Sequence, residues 1–253
     1  MQRPDFSLEG KVAVITGGAR GIGGAIASAL GSAGASVALL GRDEHALAEH
    51  AATLTVEGCN AEYFLADVTH VPGIETAFDG VLRSMGHIDI LVNNAGIEQV
   101  CASVDVTEEL WDRIVGTNLK GAFFAAQAAC RRMQSGGSII NLCSLTSEVG
   151  VAGAAPYGAS KSGMAGLTRA LDTEWAARGI RVNGIGPGYF RTALTESFYR
   201  DEQWQRAMLP KIPLNRFGKL GDLGGAAVFL CSNAAAYVTG QVLYVDGGYL
   251  AAL

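Results

Sequence analysis

Paired cysteines, clustered histidines and blocks of like charge are what this chain lacks, and each absence closes off a class of function. Its five cysteines (Cys59, Cys101, Cys130, Cys143, Cys231) are an odd number with no C-x-x-C pair, so neither a disulfide framework nor a thiolate metal knuckle is expected. Four histidines (His45, His50, His70, His87) stand far from an H-E-x-x-H spacing and read as surface residues. No metal is expected. The opening residues carry no signal-like pattern, which together with the unpaired thiols predicts a reducing cytoplasm. Against 24 Asp and Glu the chain sets 19 Lys and Arg, a formal charge of −5 with no basic stripe. Nothing there invites nucleic acid or an anionic membrane, and a small-molecule substrate is the expectation.

One uncharged run, 21–41, is long enough on paper to cross a bilayer. It holds six glycines and three serines, however, and Gly31 and Gly34 interrupt it. A helix, a turn and a buried strand are expected instead. Linkers, low-complexity stretches and Pro/Ser-rich hinges are also missing. With 253 residues and 49% hydrophobic content, the chain reads as a single α/β domain over 1–253.

What is present begins with a short β-branched run, 11–16, followed at once by Gly17, Gly18, Ala19, Arg20, Gly21, Ile22 and Gly23. A strand running into glycines that open a helix suits a pyrophosphate, because amides can approach without a Cβ between them and the helix N-terminus faces the anion. A second strand, 36–40, ends in Gly41, Arg42 and Asp43. An acid at this turn would hold a ribose 2′-hydroxyl, whereas an arginine accommodates a 2′-phosphate. Gly41 stands where the acid is wanted, and Arg42 and Arg20 supply positive charge, so NADP is favoured over NAD. The alternative is that Arg42 and Asp43 are solvated helix-start residues and the cofactor is NAD. After a helix over 43–58, a third strand near 63–66 ends at Asp67 and Val68, with Asp67 either an adenine acceptor or a helix cap. A fourth strand, 88–92, runs into Asn93, Asn94, Ala95 and Gly96, small and amide-bearing residues that suit a ligand crevice.

The segment 138–163 carries the candidate chemistry. A buried strand (Ile139, Ile140, Leu142) leads through a loop to a helix opening near Pro156. Tyr157 and Lys161 lie four apart, on one face of that helix. An ammonium beside a phenol of ordinary pKa ~10 would lower it and make the phenol a usable acid or base. Ser144, thirteen residues before the tyrosine, can bond the same reacting oxygen. Upstream, a helix expected over 108–133 has apolar Leu110, Ile114, Leu119, Phe123 and Ala126 with Asn118 inside it. Asparagine is a poor interior helix residue unless its amide has a partner.

These residues, TGGARGIG, NNAG, Asn118, Ser144 and the Y-x-x-x-K pair, followed by Gly186, Pro187, Gly188 and Thr192, resemble the short-chain dehydrogenase/reductase family in order and over nearly the whole chain. The resemblance implies a Rossmann-type doubly wound parallel seven-stranded sheet with helices on both faces. It implies a tetrad in which Tyr157 is the acid/base, Lys161 tunes it and holds ribose hydroxyls, Ser144 polarises the substrate oxygen, and Asn118 orders a relay water. It further implies cofactor contacts from Gly17, Arg20, Gly21, Ile22, Gly23, Arg42, Asp67, Val68, Asn94, Ala95, Gly96, Tyr157, Lys161, Pro187, Gly188, Phe190 and Thr192. Hydride transfer itself is the chemistry of the nicotinamide.

A sixth strand is expected over 180–185, with Gly186, Pro187 and Gly188 breaking it. The segment 189–217 reads as a substrate lid, an amphipathic helix over 222–231 follows, and a last strand lies at 242–245. An apolar tail, 249–253, ends the chain. In the resembling family this end packs against a neighbouring subunit, making a homotetramer the default. Candidate substrate contacts are Ser144, Glu98, Glu148, Tyr157 and Tyr189. In detail the motifs are similar to gluconate 5-dehydrogenase-type sugar-acid reductases. Those tend to carry basic residues just after NNAG, whereas here Glu98 stands there, so a neutral hydroxylated or cyclic ketone is the first expectation and a sugar acid the second. Glu98 facing solvent is the reading that removes this preference. A 3-oxoacyl-carrier-protein reductase shares the tetrad, but no basic cluster for an acidic carrier is visible. A non-catalytic dinucleotide sensor is the alternative of another class, and it would not need Tyr157, Lys161 and Ser144 together.

Overall fold

The computed structural model describes residues 4–134 and 136–252, so Leu253 of the apolar tail lies outside the described residues. Seven parallel strands form one sheet in the order β3-β2-β1-β4-β5-β6-β7. They are β1 (Val12–Thr16), β2 (Ser36–Gly41), β3 (Ala61–Leu65), β4 (Ile90–Asn93), β5 (Gly137–Leu142), β6 (Ile180–Pro187) and β7 (Val242–Val245). The inner strands read as unbroken apolar runs because both faces are covered. Along β1, Ala13 and Ile15 pack with Ile26, Leu30, Leu47 and Leu230 on one side. Val12 and Val14 pack with Ile74, Phe78, Val81 and Trp175 on the other. Each such fully buried branched or aromatic side chain contributes about 1.5–3 kcal/mol relative to an exposed one.

Helices α1 (Gly21–Ser32), α2 (Glu44–Val56), α3 (Val71–Met85), α4 (Glu108–Val115), α5 (Ala122–Arg132), α6 (Ala155–Trp175), α7 (Glu196–Tyr199), α8 (Glu202–Met208) and α9 (Gly224–Cys231) connect the strands. The run 21–41 resolves into α1, a turn through Gly34 at φ +104° and β2. Strand order reverses between β1 and β4, and in such sheets the crevice beyond the strand ends at that reversal is where ligands bind.

Several expectations are corrected. Helix α3 has no counterpart in the sequence reading, although His70 caps it, Pro72 sits in its first turn and Ile74, Ala77, Phe78 and Val81 form its buried stripe. The single helix expected over 108–133 is two helices joined by a π-helical segment, Gly116–Gly121, which holds Asn118. The break was written in the spacing: apolar positions step by four from Leu110 to Ile114 and by five to Leu119. Strand β6 continues through Gly186 and Pro187 instead of breaking there. Pro187 is tolerated at the strand end, where its missing N–H costs no interior ladder bond. The helix near the C-terminus is apolar on most sides, not amphipathic, because it packs on α1 with Ala227, Leu230 and Leu223 buried. Of the histidines, His50 is half-buried and bonded to the Gly18 carbonyl.

Within 189–217, Trp204 of α8 gathers an aromatic cluster. It meets Tyr189 and Tyr199 edge-on at 5.5 and 5.4 Å and stacks on Phe217 at 5.8 Å. Phe190 and Tyr199 are buried while Phe198, Met208 and Leu209 are partly so, which seats this segment firmly on the body of the protein.

Candidate active site

The end of β5 delivers Ser144 to the crevice by a short 3₁₀ turn. Its hydroxyl accepts from the Thr146 amide at 3.2 Å, and its own amide donates to the Ser147 hydroxyl at 3.3 Å. Ser147 in turn donates to the Lys161 carbonyl at 2.8 Å. The loop is thereby pinned to α6, the helix that carries Tyr157 and Lys161. Lys161 is 5% exposed, and its ammonium donates to the Leu142 carbonyl at 2.6 Å. Burial lowers its pKa to about 8, with Cys143 and Glu98 opposing the fall.

Tyr157 departs from expectation. Burial raises its pKa, the Glu98 carboxylate raises it further, and the Ser144 hydroxyl hydrogen bond pulls the other way. Lys161 sits over the ring, 5.7 Å from its centroid. The net direction is upward, opposite to the depression expected, so the protonated phenol is favoured. A neutral phenol and a serine hydroxyl side by side can donate two hydrogen bonds to a carbonyl oxygen and pass it a proton as it becomes an alkoxide.

Asn118 is fully buried, with both amide N–H donors and its oxygen engaged. Its oxygen accepts from the Ile97 amide at 2.8 Å, and its amide group donates to the Ile97 carbonyl at 2.9 Å and to Ser160 Oγ at 3.2 Å. Ser160 donates on to the Tyr157 carbonyl at 2.7 Å. The side chain thus clamps the segment after Gly96 to the start of α6. Glu98, next to the clamped residue, is half-buried, not turned out to solvent. Burial raises its pKa and Lys161 opposes the rise.

On the other side of the crevice, Gly17 and Gly21 take φ of +66° and +60°, values glycine adopts without strain. No side chain caps the N-terminus of α1, whereas Asp43, His70, Thr107 and Asp201 cap α2, α3, α4 and α8. A helix start left uncapped beside a glycine turn fits a pyrophosphate, since its amides have no protein acceptor to displace. Ile22 and Gly23 form the first turn of that helix. Asn94 donates to the carbonyls of Thr16 and Gly17 at 2.9 and 3.1 Å, and Thr16 Oγ1 accepts from the amides of Asn94 and Ala95. Thr16 was not singled out from the sequence, where it reads simply as the last residue of a strand.

Arg20 pairs with Asp43 at 3.7 Å and Arg42 with Asp67 at 3.6 Å, both arginines mostly exposed. Burial works against the Asp67 carboxylate, but bonds from Thr69 and the Arg42 charge hold its pKa below the ordinary value. Val68 is pressed against Gly121, where a Cβ would stand 2.6 Å from its carbonyl oxygen. Beyond β6, Gly188 donates to the Val245 carbonyl at 2.9 Å, and the Phe190 ring occupies the space a Gly218 side chain would need. Thr192 reaches across to the glycine turn: a Cβ on Gly21 would lie 3.9 Å from its methyl. The structure therefore brings Gly17, Gly21, Asn94, Ala95 and Thr192 together, and joins Asn118 and the Ser144 loop to the helix of Tyr157 and Lys161.

The substrate candidates divide. Glu98 and Ser144 both act on Tyr157, one through its charge and the other through a hydrogen bond, and Glu98 also meets the charge of Lys161. Glu148 is exposed and accepts the Tyr244 hydroxyl at 2.7 Å, tying the Ser144 loop to β7. Tyr189 is held edge-on between Trp204 and Tyr249. Arg191 is bound by both its Nε and Nη2 to Glu196, at 2.9 and 2.7 Å.

Fold and crevice together define a nucleotide-dependent redox protein, and comparison bears this out. A family profile described as enoyl-(acyl carrier protein) reductase matches residues 17–250. The chain belongs to the short-chain dehydrogenase/reductase family. It is 40% identical to gluconate 5-dehydrogenase of Gluconobacter oxydans (strain 621H) over 100% of both chains. With D-threitol dehydrogenase of Mycolicibacterium smegmatis it shares 38% over 97% of this chain and 95% of that one. Among solved structures, a candidate short-chain alcohol dehydrogenase from Sinorhizobium meliloti 1021 is 57% identical, covering 98% and 99% of the two chains with a TM-score of 0.95. A gluconate 5-dehydrogenase from Burkholderia cenocepacia J2315, solved with NADP and tartrate, is 38% identical over 99% of each chain, TM-score 0.96.

Proposed function

We propose that this protein is an NADP(H)-dependent reductase of small ketones, with a neutral polyhydroxylated or cyclic ketone as first substrate class and a sugar acid as second. The observation that carries the substrate reading is Glu98, a half-buried carboxylate that acts on both Tyr157 and Lys161. At ~4 Å a second anion would be repelled by about 1–4 kcal/mol, depending on residual water. Arg191, which could otherwise compensate the charge of a carboxylate, is spent on Glu196. The D-threitol enzyme among the relatives supports a neutral polyol, and the gluconate enzymes support the second class.

The geometry and the family resemblance support the following residue roles. Bound nicotinamide would supply the hydride. Tyr157 donates the proton, Ser144 hydrogen-bonds the same oxygen, and Lys161 holds positive charge behind them. Asn118 positions the segment carrying Glu98 and orders a relay water. Gly17, Gly21, Ile22 and Gly23 receive the pyrophosphate, Arg20 and Arg42 a 2′-phosphate, Asp67 and Val68 the adenine end, and Asn94 to Gly96, Pro187, Gly188, Phe190 and Thr192 the nicotinamide half. The solved NADP complex of a relative supports the cofactor choice. We read the chain as one domain over 1–253, with 189–217 as its lid, working in the cytoplasm as a homotetramer with no nucleic-acid or membrane partner. Exposed Trp111 and Leu243 and the net charge of −5 support that reading. No helix among the described residues is long and apolar enough to cross a membrane.

The deciding experiment compares matched neutral and carboxylate ketones with NADPH, in wild type and Glu98→Arg. A wild type that prefers the neutral member, with Glu98→Arg reversing the order, is expected. Should wild type prefer the carboxylate and the arginine add nothing, the neutral reading is wrong.

A further inference from the structure

We propose that His50, on α2 and outside the tetrad and every cofactor contact named above, is a positioning residue for the pyrophosphate-binding glycine turn. Its Nδ1 lies 2.8 Å from the Gly18 carbonyl oxygen, so the proton is on Nδ1 and His50 is the donor. Nε2 then accepts from Ser28, 3.4 Å away, whose hydroxyl is shared with the Gly24 carbonyl at 3.2 Å. The ring packs on Gly24, where a Cβ would stand 3.3 Å from Cε1. One imidazole therefore joins three places: the glycine turn, the first turns of α1, and α2.

The consequence lies in the peptide that follows. A trans peptide sets C=O and N–H on opposite sides of a plane. Fixing the Gly18 carbonyl toward His50 fixes the Ala19 N–H away from it. Asn94 fixes the Gly17 carbonyl in the same manner, at 3.1 Å, and the Gly17 amide is held by the Leu40 carbonyl at 2.7 Å. Asn94 and His50 thus orient two successive peptides from two different elements; the Gly18 N–H turns to the Leu40 carbonyl at 3.4 Å, which leaves the Ala19 N–H as the oriented donor an anion can use. Without His50 the Gly18–Ala19 peptide, flanked by a residue with no side chain, is free to rotate.

This inference rests on the reading of the glycine turn as a dinucleotide site, and the test separates the two. NADPH, 2′-phospho-ADP-ribose and adenosine 2′,5′-bisphosphate are titrated calorimetrically against wild type, His50→Leu and His50→Asn, with thermal unfolding of each cofactor-free protein. Only the first two ligands carry a pyrophosphate. His50→Leu should weaken those two by roughly three- to tenfold, the weight of one neutral hydrogen bond, and leave the bisphosphate within about twofold. His50→Asn, whose amide nitrogen can occupy the Nδ1 position, should recover most of the loss, and kcat at saturating NADPH should stay at the wild-type level in both. Equal weakening of all three ligands alongside a lower unfolding temperature makes His50 merely structural and overturns the proposal. So does unchanged affinity in His50→Leu. If wild type itself fails to bind NADPH, the dinucleotide reading falls, and this proposal with it.

Discussion

The Lys161 ammonium stands 5.7 Å over the Tyr157 ring while donating to the carbonyl of Leu142. The contact favours the ammonium through the ring quadrupole and leaves the phenol protonated. An enzyme arranged in this way starts from the proton-donating state, which suits reduction of a carbonyl at neutral pH.

Tyr157→Phe keeps the ring and the cation above it and removes only the donor. Turnover should fall by ~10²–10⁴-fold, with NADPH affinity changed little. Steady-state rates and a fluorescence titration check this, and turnover within a few-fold of wild type would remove Tyr157 from the proton-transfer role.

Arg42→Ala should narrow the preference for NADPH over NADH. A charge-assisted contact to phosphate contributes about 1.5–3 kcal/mol, ten- to hundred-fold in kcat/KM. The same change frees Asp67 from a partner 3.6 Å away, so an acid becomes available to a ribose hydroxyl and part of the shift should appear as a gain with NADH. A wild type that already works as well with NADH would show that this turn was misread.

Glu98→Gln should move the pH dependence of alcohol oxidation to lower pH. The carboxylate favours the protonated forms of both Tyr157 and Lys161, so its neutral replacement lets the base forms appear earlier. A stability change accompanies this. The pKa of Glu98 is raised in the fold, so wild type loses stability as pH climbs from the ordinary carboxyl value of 4.5 through the folded one. The glutamine variant should therefore unfold at a higher temperature near pH 7, and the gap should close in acid. A pH profile identical to wild type would place Glu98 outside the site.

Gly23→Ala should damage the turn from beneath. An added Cβ would stand 2.3 Å from Asn94 Nδ2 and 2.4 Å from the Gly17 oxygen, so Asn94 or the turn must move. Overpacking of this kind costs about 1–3 kcal/mol, readable as a lower unfolding temperature and a weaker NADPH complex. An unaffected variant would mean that the turn is looser than its geometry.

Much of this was legible beforehand, and what was not has definite physical reasons. Parallel strands buried on both faces announce themselves as apolar runs, which is why the sheet and its glycine turn could be placed closely. Tyr157, Lys161 and Ser144 were singled out by their spacing together with the resemblance of the motifs around them. Spacing could not reveal that Glu98 folds back on them, because that depends on where the segment after Gly96 is tied. Thr16 and His50 escaped notice for a related reason: each acts through backbone atoms of a segment distant in sequence, and nothing in their local pattern marks it. The π-helical break around Asn118 was present as a step of five between Ile114 and Leu119, a signal a four-residue habit of reading passes over.

The clamp made by Asn118 couples two properties that could have been separable. Because its side chain spans from Ser160 on the chemical helix to both backbone groups of Ile97, recognition and reactivity share one mechanical joint. Broadening the range of accepted substrates by loosening the Glu98 segment would disturb the proton donor at the same time. Divergence in specificity is therefore channelled toward 189–217, which is joined to the joint by no such bond among the described residues.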